Sequence, residues 1–232
     1  MWHNYFFQLQ KKYNMRLSTK EPLVIRFDGK DVTKSVDFNL LYNNKGSFID
    51  ILDKTVWYFT QKYHCYSIYG SDEVSFIFQE PMNLIADLDV DKCNFSNEVI
   101  ALFSQYFFDY FNTLYKVKKV FWHGKCFSIP SGKLESYIKY RTGVIKNVMV
   151  MYFLKRKDIK GSKTKLSKKQ EECRKYADYI SCLDRENGVL YYDGQRLDID
   201  EFLKGNIQKI ESKEDEIINT TINDYDIEID GF

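Results

Sequence analysis

The chain has 232 residues, 44% of them hydrophobic and 17% aromatic, which is enough apolar material for one large domain or two small ones. Its formal net charge is +1, so no global electrostatic field marks it as a nucleic-acid binder. The cysteines at 65, 93, 126, 173 and 182 form no Cys-x-x-Cys pair, and with His3, His64 and His123 they argue against zinc and against a secreted disulfide framework. No segment approaches the ~20 apolar residues of a membrane span, and the N-terminus has no basic start followed by a long apolar run. The expectation is a soluble cytoplasmic protein. Charge is uneven along the chain. Lys155 to Lys175 holds ten basic residues against three acids, and Glu211 to Phe232 holds eight acids against one lysine.

In chain order, residues 2–13 read as a short amphipathic helix, with Trp2, Tyr5, Phe6, Leu9 and Tyr13 on one side. Pro22 opens a strand over Leu23 to Gly29. Period-two alternation sets Leu23, Ile25 and Phe27 on one face and Val24, Arg26 and Asp28 on the other. Asp28 to Asn44 is a polar loop. Ser47 to His64 reads as a helix with Phe48, Ile51, Leu52, Val56, Phe59 and Tyr63 as its buried stripe. Strands at about Cys65 to Tyr69 and Glu73 to Phe78 flank Gly70-Ser71-Asp72, a β-hairpin with acidic groups at its tip. Pro81 to Asn94 is a loop and Ser96 to Tyr115 a second long helix. Val117 to Phe121 is the expected fourth strand, and Lys125 to Ile129 a candidate fifth.

The order strand, helix, strand, strand, helix, strand predicts an α+β fold with a ferredoxin-like palm. Two helices would cover one face of its antiparallel sheet and leave the other face available. Leu134 to Leu154 and Lys168 to Tyr179 read as helices of a mainly helical C-terminal extension. Gly188 to Gly194 reads as a terminal strand and turn. The expected division is a palm-like catalytic domain over 1–130, an extension packed on it over 131–210, and an acidic tail over 211–232. No repeat or linker forces a boundary.

Asp28 and Asp72 are the candidate catalytic carboxylates. If their strands are neighbours, they can hold magnesium between protein and triphosphate. Gly29 has no side chain, so its carbonyl and the following amides can approach metal and phosphate closely. Arg26, Lys30 and Lys34 are near enough in sequence to meet phosphate oxygens. Glu73 points to the face opposite Asp72 and takes a supporting role. Asp-Gly and Gly-Ser-Asp are each ordinary turn sequences. Their weight comes from occurring together, in palm order.

Val24-Ile25-Arg26-Phe27-Asp28-Gly29-Lys30, followed by Tyr69-Gly70-Ser71-Asp72-Glu73-Val74-Ser75-Phe76-Ile77-Phe78, resembles the histidine-tRNA guanylyltransferase family and its bacterial and archaeal 3′–5′ polymerase relatives. Lys30 stands where that family usually has arginine. A weaker match runs through Ile129-Pro130-Ser131, Leu134, Tyr137 and Tyr140-Arg141. The resemblance covers roughly residues 20 to 195 and is strongest in the first 80. It implies a nucleotide added to the 5′ end of tRNA, with ATP and GTP as substrates. It implies two Mg2+ ions on Asp28, Asp72 and the Gly29 carbonyl. It implies a triphosphate wrapped by Asp28, Gly29, Lys30, Asp31, Val32 and Thr33, with help from Ser71. Arg26, Lys34 and Arg141 are candidate RNA or triphosphate contacts, and the assembly implied is a homo-oligomer, dimer or tetramer. After Arg141 the family's polar run is replaced by Thr142-Gly143-Val144-Ile145-Lys146-Asn147-Val148, and Val32 replaces an aromatic residue. Arg156 to Gly161 faintly resembles a basic segment of the bacterial relatives. These departures favour a repair-type or otherwise divergent member.

Two other readings stay open. One is a palm-fold cyclase or small-oligonucleotide synthase acting on nucleoside triphosphates without RNA. The other is a non-catalytic nucleotide- or RNA-binding module, against which the paired carboxylates speak. Asp87, Asp89, Asp91 and Glu98 match positions of a calcium loop, but Lys92 replaces its required glycine, so this stretch reads as a solvated loop. His64 and His123 read as packing or surface residues. The 155–175 basic run is either a solvated helix face or a cradle for tRNA phosphates.

Overall fold

The computed structural model describes residues 18, 20–32, 36, 41–42, 46–88, 96–117, 119–158 and 165–207. The helix read over 2–13, Thr33 and Lys34, Asp89 and Asp91, the segment 159–164 and the acidic tail 211–232 lie outside the described residues. The elements are β1 (Leu23–Gly29), α1 (Phe48–Tyr63), β2 (Tyr66–Gly70), β3 (Glu73–Phe78), α2 (Pro81–Asp87), α3 (Ser96–Leu114), β4 (Trp122–Ser128), α4 (Leu134–Arg156), α5 (Leu166–Cys173), α6 (Ala177–Ile180), a 3-10 turn (Leu183–Arg185), β5 (Val189–Tyr192), β6 (Gln195–Leu197) and α7 (Ile199–Ile207). The strands form one sheet in the order β4-β1-β3-β2-β5-β6. Every neighbouring pair is antiparallel.

Three elements differ from the expectation. The described residues of 117–121 form no strand, and the candidate fifth, Lys125 to Ile129, overlaps the fourth strand found, Trp122–Ser128. It pairs residue by residue with β1, from Gly29↔Trp122 to Leu23↔Ser128. Val117 and Phe121 are instead among the most exposed large apolar side chains described. Residues 81–87 are helical, with Pro81 in the first turn, where its missing N–H costs nothing. The helix expected over 168–179 is two helices, α5 and α6, interrupted at Arg174–Tyr176.

One face of the sheet packs on α1 and α3. Helix α1 starts at Ser47, whose hydroxyl accepts from the Asp50 N–H, and ends at His64 in the left-handed conformation. All six residues of its expected stripe are buried. The centre of this core is aromatic. The Phe27 ring stacks on Phe107 at 4.9 Å between centroids, and Phe59 meets Phe103 edge-on at 5.4 Å.

The second face, expected to stand open, is covered. Val24, Ile68, Ile77 and Leu190 from the strands bury against Leu134, Ile138 and Ile145 of α4, with Ile199 of α7 beside them. The reason lies in β1 and β3. Each places apolar residues on both faces, and each such side chain stabilises the fold by roughly 1.5–3 kcal/mol only if something covers it. Further along, α4 leaves this second core. Met149, Val150 and Phe153 belong to the first one. Among the described residues no helix is long and apolar enough to cross a membrane.

Candidate active site

The site lies at the C-terminal end of β1, the strand flanked by β3 and β4. The register places Asp28 between Glu73 on β3 and His123 on β4. It also places Arg26 between Ser75 and Lys125. Cross-strand partners share a face. Arg26, Asp28, Glu73, Ser75, His123 and Lys125 therefore form two polar rows on the α4 side of the sheet.

Glu73 is the hub of these rows. Its carboxylate accepts from Arg26 Nη2 at 2.8 Å and from Arg141 Nη2 of α4. The Arg26 guanidinium also donates to Asp28 at 3.1 Å. Glu73 and Arg141 are almost wholly out of water, with side chains 8% and 4% exposed, whereas the Asp28 side chain is 47% exposed. One further bond closes the network: the Ser75 and Tyr137 hydroxyls share a hydrogen bond of 2.9 Å. Burial raises the Asp28 carboxyl above its ordinary value. Arg26 pulls it back and Glu73 pushes it further up. Burial also opposes the charge on Arg26, but Glu73 and Asp28 hold its pKa above the usual value. Arg26, Asp28, His123 and Lys125 line an open pocket of about 230 Å3.

Asp72 sits on the other side of the same joint. Its carbonyl accepts from the Gly29 N–H at 2.7 Å, and the next amide, Lys30 N–H, donates to the Phe121 carbonyl at 2.8 Å. The end of β1 is thus sewn to the hairpin tip and to the chain entering β4. A Cβ built on Gly29 would lie 2.8 Å from Val32 Cγ2 and 3.3 Å from the Asp72 carbonyl oxygen, so the position admits only glycine without a shift of its neighbours. Ser71 turns the hairpin with φ of 55°, and its hydroxyl is buried beside the Tyr42 phenol. Asp31 also takes a left-handed conformation, with φ of 58°, and Lys30 and Asp31 are both exposed.

The sequence-predicted residues fall into three groups. Gly29, Val32, Ser71 and Asp72 come together at the tip, with Asp28 ending the strand beside them. Arg26 and Arg141 are both engaged with Glu73, Arg26 from the wall of the pocket and Arg141 buried behind it. Thr33 and Lys34 lie outside the described residues. Three groups were not singled out for this site. His123, which reads from the sequence as a packing or surface residue, lines the pocket beside Asp28 together with Lys125, and the only sequence signal for that placement is alternation across Gly124. Tyr137 was read only as part of a motif. Tyr152 and Arg156 both bond to the Val36 carbonyl and carried no signal of that role. Among the described residues no group of three or more His, Cys, Asp and Glu side chains is placed to cage a metal ion.

Strand order and polar joint together define an α+β sheet protein with an acidic site at the end of its central hairpin. No family model matches the chain, and no curated protein matches it either. Solved structures do. A bacterial tRNA(His) guanylyltransferase-like protein in complex with ATP superposes with a TM-score of 0.60 at 13% identity, over 82% of this chain and 84% of that one. A bacterial protein of the same description in complex with GTP gives 0.58 at 13% identity, over 89% of this chain and 97% of that one. The tRNA(His) guanylyltransferase of Saccharomyces cerevisiae gives 0.58 at 16% identity, over 82% and 93%. The chain has the fold of these proteins over 82–89% of its length.

Proposed function

We propose that this protein is a divergent relative of the tRNA(His) guanylyltransferases and a magnesium-dependent 3′–5′ nucleotidyltransferase acting on the 5′ end of tRNA. One observation carries the reading. Asp28 ends β1, and Gly29 beside it is bonded through its N–H to the Asp72 carbonyl at the hairpin tip, in a fold shared with proteins solved with ATP and GTP. On this reading residues up to 130 are a ferredoxin-like palm, and residues 131–210 are an extension that packs on it and adds β5 and β6 to its sheet.

The carboxylates of Asp28 and Asp72 and the carbonyl of Gly29 offer only oxygen donors. Mg2+ takes oxygen ligands and is usually held by one or two carboxylates together with substrate phosphates. Asp28 precedes Gly29 in the chain and Asp72 packs against it, and with Val32 and Asp72 packed where a Cβ would stand the position between the two carboxylates takes only glycine. A magnesium ion held by Asp28, Asp72 and the Gly29 carbonyl would supply a lowered pKa for an attacking hydroxyl and charge neutralisation for departing pyrophosphate. The chain's own residues bind and orient. The Lys30 side chain and the amides of Asp31 and Val32 meet the triphosphate of GTP, with Ser71 supporting the hairpin side. Arg26 and Arg141 fix Glu73, and through the shared row they fix Asp28. Lys125 and His123 line the groove along which a phosphorylated RNA end reaches Asp28.

The test is to incubate the purified protein with Mg2+, ATP, labelled GTP and a tRNA lacking its 5′-terminal nucleotide, beside a control without RNA. Label joined to the RNA 5′ end supports the proposal. Label found only in small products, with or without RNA, overturns it in favour of a synthase that needs no RNA.

A further inference from the structure

Part of the chain after Gly29 is tied to α4. Its described residues form a short relay. Val32 packs directly over Gly29, leaving no room for a Cβ there. The Val36 N–H donates to the Val32 carbonyl at 2.9 Å. The Val36 carbonyl has two lone pairs, and both are addressed from α4. Tyr152 donates its hydroxyl to it, and Arg156 Nη2 donates at 2.9 Å. The two donors brace each other, with the Arg156 guanidinium 5.4 Å from the centre of the Tyr152 ring. The apolar anchoring of this part of α4 is already supplied by Met149, Val150 and Phe153. The Tyr152 ring belongs to that core as well, and its hydroxyl, with the Arg156 guanidinium, fixes the position of the Val36 carbonyl.

The same helix reaches the opposite side of the site. Arg141 and Arg156 are separated by about four turns of α4, or about 22 Å along its axis. Arg141 holds Glu73, the cross-strand partner of Asp28, and Arg156 with Tyr152 holds the loop that leaves Gly29.

Resting on the nucleotidyltransferase reading, we propose that Tyr152 and Arg156 are positioning residues for the nucleoside triphosphate: they set Val36, through it Val32 and Gly29, and so the affinity of the loop for the triphosphate. Neither touches the reacting atoms. Their loss weakens nucleotide binding and leaves the chemical step alone.

The experiment uses the full chain and the variants Y152F, R156M and R156K, with K157M as a control. Lys157 is at the same helix end but pairs with Asp178. GTP affinity in Mg2+ is measured by equilibrium dialysis, kcat and KM by 5′-end labelling of tRNA, and folding by thermal melting. A neutral hydrogen bond and a charged one predict Kd and KM for GTP raised about fivefold in Y152F and about twentyfold in R156M. In both, kcat stays within about twofold and the fold is retained. R156K, which keeps a charged donor, recovers most of the loss, and K157M binds like the wild type. If R156M fails to fold, Y152F and R156K carry the comparison. Wild-type binding with unchanged affinity in Y152F and R156M overturns the positioning role and leaves the nucleotidyltransferase reading standing. A loss of kcat at unchanged KM overturns it too. A wild type that binds no GTP in Mg2+ overturns both.

Discussion

Replacing Arg141 with methionine tests whether the buried network around Glu73 is what keeps the Asp28 row in order. The Arg141 side chain is 4% exposed and Glu73 8%, so their ion pair is shielded from water on both sides. Removing one member of a buried pair strands the other charge, which costs about 3–5 kcal/mol. Here Glu73 keeps Arg26 at 2.8 Å, and that residual partner lowers the expected cost to about 2–3 kcal/mol. For a chain of this size such a loss lowers Tm by roughly 4–12 °C. Urea unfolding of R141M should show a lower midpoint at unchanged slope, since methionine alters stability without altering the surface exposed on unfolding. The companion change E73Q leaves two guanidinium groups around a neutral amide. In the double variant E73Q/R141M only Arg26 remains, so the two losses should not add, and the coupling should be about 1–3 kcal/mol. A shift of R141M below about 0.5 kcal/mol, the scale of an ordinary surface substitution, would refute the network as a buried ionic hub. Strict additivity in the cycle would do the same.

Asp28→Asn and Asp72→Asn should each abolish label transfer to tRNA, as should chelation of Mg2+. Asp28 is half exposed, so its loss costs at most about 1 kcal/mol of stability, and a melting curve beside the activity assay separates the two effects. Gly70→Ala should destabilise the hairpin by about 1–3 kcal/mol, because the new Cβ would land on the Cγ2 methyl of Ile145. The same change made in an Ile145→Ala background should cost under about 0.5 kcal/mol, and an equal cost in both backgrounds would show that the contact is not the cause. Burial pushes the Cys126 thiol up to about 12 and the Cys173 thiol to about 11. Both stay protonated at pH 8, so peptide mapping after alkylation of the native protein should find them unmodified, whereas labelling of the urea-unfolded chain should reach both.

What the sequence showed plainly was whatever obeyed one period against one core. Strand β1 was read over 23–29 and is found there. The stripe from Phe48 to Tyr63 is buried as read. Strand β4 is legible only in its second half, as the candidate over Lys125 to Ile129, because its sequence, Trp-His-Gly-Lys-Cys-Phe-Ser, carries two polar residues on its groove face and a glycine between them. The apolar Val117 and Val120 nearby imitated a strand more convincingly. Alternation sets Glu73 on the face opposite Val74, and there it is the cross-strand partner of Asp28. That this face is closed by an arginine 68 residues later depends on a tertiary contact that no local pattern encodes.

Helix α4 makes the same point from the other direction. Its apolar residues do not line up in a single stripe, and that irregularity has a structural cause. Leu134, Ile138 and Ile145 fit the core on the second face of the sheet, and Met149, Val150 and Phe153 fit the core on the first. A straight helix can satisfy both only by passing from one face to the other. Gly70 and Gly188 mark the passage, since a Cβ on either would strike Ile145. The crossing puts Arg141 on the side of the carboxylate row and Tyr152 and Arg156 on the side of the Gly29 loop. The two halves of the site, read separately as Asp-Gly and Gly-Ser-Asp, are thus held in register by a helix whose mixed apolar pattern is the consequence of touching both.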